Sequence, residues 1–116
     1  MQYSLFIGRY QPLHEGHIKL MRHVLEEDKK NVCIAIRSTP KDNNNPFSIE
    51  QRCAMIQKEF GKEISQGRVA VCVIPDITEV CYGRDVGWGV REITLKNNGD
   101  ISGTKIREQL RKEGKL

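Results

Sequence analysis

Two histidines separated by two residues, His14 and His17, lie where a short apolar run ends and a helical pattern begins. The first turn of a helix presents unpaired backbone N–H groups, and the helix dipole makes this end electropositive, so it favours an anion. Imidazoles can donate hydrogen bonds to phosphate oxygens, and Gly16 leaves the helix start without a Cβ where a polyphosphate would approach. We therefore predict that residues 8–17 bind the phosphates of a nucleoside triphosphate.

A second stretch with hydroxyl and cationic side chains lies at residues 101–107, near the end of the printed sequence. Ser102 is a good N-cap for a helix in which Ile106 and Leu110 share one face, and Gly114 is a suitable place for that helix to end. This arrangement places hydroxyl groups, exposed N–H groups and two cations at one helix start. A second anion-binding helix N-terminus is predicted there.

The elements that position these two stretches alternate between strand and helix. Apolar runs predict strands at residues 3–7, 31–36, 69–74 and 90–95, and helical periodicity predicts helices after Leu13 and from a Ser48 cap to about Gly61. Crossovers of this length join parallel strands. The expected fold is one α/β domain over residues 1–116, an open parallel sheet of about four to five strands with helices on both faces. In such sheets ligands bind at the carboxyl ends of the strands.

Composition narrows the class of protein. The chain has 116 residues, 38% hydrophobic and 29% charged, with a net charge of +4. Neither a signal peptide pattern nor an apolar run long enough to span a membrane is visible, so we expect a cytoplasmic protein without membrane contact. The basic residues are scattered, which makes a nucleic-acid partner unlikely on sequence grounds. A homo-oligomer is plausible.

The four cysteines are spaced too widely for a C-x-x-C zinc or redox motif. We expect reduced and mostly buried thiols, and no metal ligand set supplied by the protein.

The quoted motifs carry a family resemblance. Gly8-Arg9-Tyr10-Gln11-Pro12-Leu13-His14-Glu15-Gly16-His17 closely resembles the first motif, ending H-x-G-H, of the cytidylyltransferase-like nucleotidyltransferase superfamily. Residues 101–107 are similar to its second motif, I-S-x-T-x-x-R. Asn45-Pro46-Phe47-Ser48 followed by Arg52 is also similar to a segment of the archaeal-type nicotinamide mononucleotide adenylyltransferases. The resemblance covers most of residues 3–111 and is weakest over residues 79–95.

The resemblance implies a Rossmann-like fold and transfer of a nucleoside monophosphate to a small phosphorylated acceptor, with release of pyrophosphate. It implies catalytic roles for His14, His17, Thr104 and Arg107. Residues expected to bind the nucleotide are Gly8, Arg9, Tyr10, Gly16, Ser102 and Gly103. A magnesium ion is expected to bind through the phosphate oxygens of the nucleotide.

Candidates for binding the acceptor are charged and aromatic residues. The side chains that could hold the acceptor's phosphate or ring are Arg37, Arg52, Arg84, Arg91 and Trp88, with Tyr82 as a further aromatic. Each arginine has a solvated surface charge as its alternative role, and the aromatic residues have core packing as theirs.

The choice of nucleotide also depends on the resemblance. Adenylyl-transferring branches often read I-S-G-T-x-[IV]-R, as residues 101–107 do, whereas small glycerol-phosphate-type cytidylyltransferases resemble R-T-x-G-I-S-T-T around the same helix. This favours ATP. A CTP-dependent cytidylyltransferase is the first alternative, and a non-catalytic nucleotide-binding or regulatory module is the second. The acceptor is unassigned.

Overall fold

A computed structural model describes residues 2–84, 87–93 and 102–116. Its elements are β1 (Tyr3–Gly8), α1 (Glu15–Glu26), β2 (Asn31–Ser38), α2 (Ile49–Ser65), β3 (Val69–Pro75) and α3 (Gly103–Lys112). The predicted order of strand, helix, strand, helix and strand over the first 75 residues is confirmed, as is the final helix. Ser48 caps α2 as predicted, because its hydroxyl accepts a hydrogen bond from the Gln51 N–H.

The three strands form one parallel sheet in the order β1-β2-β3. Phe6 of β1 pairs with Ile34 of β2, and Ile34 pairs with Val71 of β3. The predicted open parallel α/β sheet is therefore confirmed, with three strands in the described part of the chain. The predicted fourth strand at residues 90–95 is not formed over residues 90–93, which are irregular, and its last two residues lie outside the described part.

Both long helices pack on the same face of this sheet. Val32, Ile34 and Ile36 alternate along β2, and their side chains belong to one buried cluster with residues of both helices. The helical members of this cluster are Met21, Val24 and Leu25 from α1 and Ile56 and Phe60 from α2.

Strand order explains why these two helices do not divide between the two faces, as the predicted helices on both faces would require. The strands follow one another across the sheet in chain order, and crossovers of one hand then cover one side. Leu5, Ile7 and Cys72 lie on the opposite face and are exposed. In the part of the chain that is described, α1 and α2 thus leave this apolar face open.

The segment after β3 is irregular over residues 76–84 and 87–93. It exposes large apolar side chains, among them Val80, Tyr82, Trp88 and Val90. All four cysteines are free, but Cys72 and Cys81 are exposed and not buried as predicted, since one lies on the open sheet face and the other in this segment. Among the described helices, none combines the length and apolar character that a bilayer crossing requires.

Candidate nucleotide-binding site

The turn between β1 and α1 depends on one close contact. Tyr10 has a positive φ of 53°, and its ring folds back over Gly8, where an added Cβ would lie 2.9 Å from the ring carbon Cζ. Only glycine leaves room for this contact. The Tyr10 ring is 3% exposed and meets the His17 ring edge-on, with 5.0 Å between centroids. Burial raises the pKa of its phenol. The structure therefore places Tyr10 in the core as a support for His17, with almost no surface to offer a ligand.

The two predicted histidines themselves build the start of α1. His14 is the N-cap, and its Nδ1 accepts a hydrogen bond from the Gly16 N–H at 3.0 Å. His17 Nδ1 accepts from the His14 N–H at 3.2 Å, and the two rings stack with 3.8 Å between centroids. An Nδ1 that accepts is unprotonated, so each neutral ring carries its proton on Nε2. Two imidazoles are thus locked as Nε2–H donors.

Burial keeps these rings neutral. It lowers the pKa of His17 to about 4, with the neighbouring His14 as a second cause, and it also lowers the pKa of His14. Desolvation and a nearby positive charge both disfavour the imidazolium. At neutral pH the α1 start therefore offers uncharged donors alongside the electropositive helix end.

The second predicted motif lies at the start of α3 and contacts the first. The Ser102 hydroxyl accepts from the Lys105 N–H at 3.2 Å and caps the helix. Arg107 is 4% exposed, and its Nη1 donates to the Gln11 carbonyl at 2.7 Å, while Nη2 donates to Thr104 Oγ1 at 3.3 Å. The structure therefore brings the two motifs together, although 96 positions separate Gln11 from Arg107 in the chain.

Gly103 makes this contact possible. An added Cβ at Gly103 would lie 2.9 Å from Arg107 Nη1 and 3.6 Å from the Gln11 carbonyl oxygen. Any side chain at this position would press on the guanidinium. The predicted nucleotide-binding glycines Gly8 and Gly103 thus each leave space for a specific neighbour, Tyr10 and Arg107.

Three guanidinium groups converge near this junction. Burial lowers the pKa of Arg107, and the charges of Arg9 and Arg111 lower it further. Arg9 Nη1 donates to the buried Asn45 side chain at 3.2 Å, and Arg111 donates to the Asn43 carbonyl. Mutually repelling cations held in one place favour an anionic ligand between them.

Arg52 was predicted on the acceptor side, but the structure gives it a scaffold role. Its side chain is 1% exposed, and Nη1 donates to the carbonyls of Arg9 and Arg37, each at 2.8 Å. Its Nε donates to the Ser48 carbonyl at 3.2 Å. Because buried N–H groups must be paired, these contacts occupy the guanidinium and fasten the ends of β1 and β2 to the start of α2.

The other predicted acceptor residues are not brought together. Arg37 lies at the carboxyl end of β2 in an ion pair with Asp76, 2.7 Å from Nη2 to Oδ1. Arg91 pairs with Asp28, which follows α1 and precedes β2, so it lies at the end of the sheet opposite the α1 start. Arg84 is exposed, and Trp88 is 79% exposed.

Sequence reasoning missed three residues at the junction: Gln11, Asn45 and Arg111. Arg111 follows Arg107 by four positions, a spacing that puts both on one helix face and could have identified it. Gln11 and Asn45 are polar residues of loops, and their burial depends on contacts distant in sequence that no local pattern reports.

The described residues of the site offer mainly nitrogen donors. Among the described residues there is no group of three or more His, Cys, Asp or Glu side chains that could hold a metal ion. Imidazole N–H, guanidinium and backbone N–H groups are donors suited to phosphate oxygens.

Comparison with known proteins gives several matches. A family model described as cytidylyltransferase-like matches residues 5–71. The nicotinamide-nucleotide adenylyltransferase of Thermococcus sibiricus is 37% identical over 77 residues, which is 64% of this chain and 41% of that protein. The nicotinamide-nucleotide adenylyltransferase of Methanococcus aeolicus is 28% identical over 132 aligned residues, covering 92% of this chain and 76% of the relative.

A third relative is covered only in part, as the Thermococcus protein is. The nicotinamide/nicotinic acid mononucleotide adenylyltransferase of Acinetobacter baylyi is 36% identical over 77 residues, 65% of this chain and 40% of that protein. The matched segment is thus less than half the length of the Thermococcus and Acinetobacter relatives. No solved structure matches the chain. Because the family model covers more than half of the chain, including the whole first motif, the chain belongs to the cytidylyltransferase-like family.

Proposed function

We propose that this chain transfers the adenylyl group of ATP to a small phosphorylated acceptor of the nicotinamide mononucleotide type and releases pyrophosphate. The observation that carries this proposal is the 2.7 Å hydrogen bond from Arg107 Nη1 to the Gln11 carbonyl. It joins two helix N-termini, each rich in N–H donors, into a single junction that suits one polyphosphate. The names of the relatives favour ATP as donor and a mononucleotide as acceptor.

The reaction needs positioning more than acid–base chemistry. An oxygen of the acceptor's phosphate attacks the α-phosphorus of ATP, the bond to the bridging oxygen breaks, and pyrophosphate leaves with the electron pair. The nucleophile is already anionic, so no strong base is required, and the protein mainly stabilises charge on the transferring and leaving groups.

Each predicted catalytic residue carries a group that can donate a hydrogen bond to a phosphate oxygen. In the proposal, His14 and His17 donate from Nε2 to phosphate oxygens near the α-phosphorus, since their Nδ1 atoms are occupied by the backbone. The exposed Thr104 hydroxyl faces the β- and γ-phosphates, with Ser102 and the N–H groups around Gly103 beside it. Arg107 is 4% exposed and bonded to Gln11 and Thr104, so it acts on these phosphates through its positive charge and the N–H groups that these two bonds leave over. Arg9 and Gly16 complete the nucleotide side.

The chemistry of the donors also fits a magnesium ion held by the nucleotide. The described residues around the junction lack a carboxylate cluster, so the ion would be bound through the phosphates themselves. Magnesium would neutralise phosphate oxygens and favour departure of pyrophosphate. A cytoplasmic location and any homo-oligomer stay predictions from the sequence.

On the acceptor side, the proposal depends on Arg37. Arg37 lies at the carboxyl end of β2, where a ligand of a parallel sheet is expected, but it would have to exchange its ion pair with Asp76 for the acceptor's phosphate. The placements of Arg84, Trp88 and Arg91 give no support for an acceptor pocket in the described arrangement.

A substrate screen tests the proposal. The purified chain is incubated with magnesium and ATP or CTP, alone and with nicotinamide mononucleotide, nicotinic acid mononucleotide or glycerol phosphate, while pyrophosphate release and product mass are followed. We expect pyrophosphate and a dinucleotide from ATP with a pyridine mononucleotide. Turnover with CTP and glycerol phosphate in place of this pair would establish the cytidylyl alternative, and binding of ATP without turnover on any acceptor would establish the non-catalytic one.

A further inference from the structure

Gln11 is a polar residue buried in the turn between β1 and α1, with 3% of its surface exposed. A buried amide must be paired, and its partners reveal what it holds in place. Its side-chain Oε1 accepts from the Phe47 N–H at 2.8 Å, and its Nε2 donates to the Phe47 carbonyl at 3.0 Å. Nε2 also lies 3.4 Å from the Thr39 hydroxyl. The side chain thus pairs with the backbone of the loop between β2 and α2.

The backbone carbonyl of Gln11 contacts α3, whereas its side chain contacts Phe47. The Gln11 carbonyl oxygen accepts the 2.7 Å hydrogen bond from Arg107 Nη1. Gln11 therefore joins three parts of the site: the β1–α1 turn, the loop that contains Phe47, and α3. Each part carries a residue or motif that the sequence singled out, yet the role of Gln11 follows only from its contacts.

Arg107 needs such an anchor. Its second hydrogen bond goes to Thr104 in its own helix, which cannot orient α3 relative to α1. The positive charges of Arg9 and Arg111 repel its guanidinium, and the 2.7 Å hydrogen bond to the Gln11 carbonyl opposes this repulsion. A displacement of about 1 Å in a positioning group can cost roughly a hundredfold in rate.

We propose that Gln11 is a positioning residue: the Phe47 contacts of its side chain fix the carbonyl oxygen that holds Arg107 against the polyphosphate. The inference rests on the proposed function only for the identity of the anion. It assigns to the loop after β2 an effect on phosphate binding through Gln11, without direct contact between Phe47 and the nucleotide.

A double-mutant cycle tests the connection between the two residues. Gln11→Met keeps an unbranched side chain of similar length but removes both hydrogen-bonding groups, and Arg107→Met removes the guanidinium. The affinity for inorganic tripolyphosphate is measured by calorimetry at low ionic strength for the wild type, both single variants and the double variant. Gln57→Met, on the exposed surface of α2, is the matched control.

We expect Gln11→Met to weaken tripolyphosphate binding by about tenfold in the wild-type background and by less than twofold in the Arg107→Met background, since residues that act through one another are not additive. A general loss of packing would lower affinity by the same factor in both backgrounds. That result, or unchanged affinity in Gln11→Met, would overturn the inference. So would a wild type that binds no tripolyphosphate.

A second measurement, by NMR and without ligand, applies where binding is too weak for calorimetry. The side-chain N–H resonance of Arg107, assigned from its loss in Arg107→Met, is compared between the wild type and Gln11→Met, which removes both hydrogen bonds to Phe47 without adding a charge. We expect this resonance to move while that of Arg22, bonded to Glu63, does not. An unmoved Arg107 resonance counts against the inference. Absent turnover in a wild type that shows the predicted coupling would sink the proposed activity alone.

Discussion

The two helix starts that form the site are built in different ways. At α1 the predicted catalytic residues are also the caps: His14 accepts from the Gly16 N–H, and His17 accepts from the His14 N–H. At α3 the cap is Ser102, so Thr104 and Arg107 are not needed to begin the helix. At α1 the same two residues cap the helix and are predicted to act on the substrate. At α3 one residue caps the helix and others are predicted to act on the substrate.

Their attachment to the rest of the fold differs as well. α1 contributes Met21, Val24 and Leu25 to the main core. Among the described residues of α3, Arg107 alone is buried, and hydrogen bonds from Arg107 to Gln11 and from Arg111 to Asn43 join the helix to the fold. We call the α1 start the first seat and the α3 start the second seat. The first seat thus belongs to a helix of the main core, whereas the second is held against the core by polar contacts.

The largest effect is expected where chemistry and capping can be separated at α1. His14→Asn keeps a side-chain oxygen that can cap the helix, because Asn is among the best N-caps, but it removes the Nε2–H donor. We expect turnover to fall by about 10²- to 10³-fold, as for loss of one transition-state donor, with little change in stability. Steady-state pyrophosphate release and urea unfolding measure the two quantities.

His14→Ala is the matched variant, since it removes both functions. It should lose as much turnover as His14→Asn and about 1 kcal/mol of unfolding free energy in addition. Wild-type turnover in His14→Asn would show that the imidazole serves only as a cap.

The next effect concerns the close approach at the second seat. Gly103→Ala introduces a Cβ that would lie 2.9 Å from Arg107 Nη1. The guanidinium must shift, so we expect the KM for ATP to rise by about tenfold, the equivalent of one lost charge-assisted hydrogen bond. Helix propensity favours Ala over Gly by up to about 1 kcal/mol, so the melting temperature should not fall.

Gly83→Ala, in the irregular segment after β3, controls for a change of glycine in general, because an added Cβ there meets nothing within 4 Å and the backbone does not have a positive φ. An unchanged KM in Gly103→Ala would mean that Arg107 does not hold the nucleotide from its described position.

Features that depend on contacts between residues close in sequence could be predicted, and features that depend on contacts distant in sequence could not. The β1–α1–β2–α2–β3 order, the Ser48 cap and the Ser102 cap depend on neighbours within a few positions, and all are confirmed. The role of Arg52 could not be read locally, because its carbonyl partners at Arg9 and Arg37 are 43 and 15 positions away.

The positions of the predicted acceptor residues also depend on contacts distant in sequence. Residue type alone predicted Arg91 and Trp88, because no periodic pattern places them. The structure puts Arg91 in an ion pair at the far end of the sheet and leaves Trp88 exposed. The positions of the two nucleotide-side motifs at helix starts could be predicted locally, because the anion preference of a helix start is a property of backbone geometry, and their roles stay predictions.

A smaller effect is expected from the titration of His17. Burial sets its pKa at about 4, below the value of about 6.5 for an unfolded histidine, so the unfolded chain binds more protons between these values. Stability from the neutral ring is therefore complete above about pH 6.5 and is lost as pH falls toward 4. His17→Gln keeps a side chain suited to the capping box but does not titrate.

Urea unfolding of both proteins at pH 7.5 and pH 5.0 measures this contribution. We expect the wild type to lose about 1 kcal/mol more than His17→Gln over this interval, after allowance for partial exposure of the ring. Equal losses in the two proteins would show that His17 is solvated and titrates normally.

The smallest effect is expected from removing a helix cap, and it tests whether α3 is attached to the core less firmly than α2. Ser102→Ala removes the cap of α3 and Ser48→Ala removes the cap of α2, each costing about 1 kcal/mol of helix stability. Because α2 contributes Ile56 and Phe60 to the core, Ser48→Ala should lower the global free energy of unfolding by that amount.

Ser102→Ala should instead act locally, since a helix joined to the core by a few polar contacts can open without global unfolding. Amide hydrogen exchange would then quicken by about fivefold within α3 and stay unchanged in α1, while the urea midpoint moves less than in Ser48→Ala. Equal midpoint shifts in the two variants would mean that α3 unfolds together with the core, and the second seat would then be as rigidly built as the first. A locally mobile α3 would instead make the hydrogen bond between Arg107 and Gln11 the contact that decides how often the two seats face one polyphosphate.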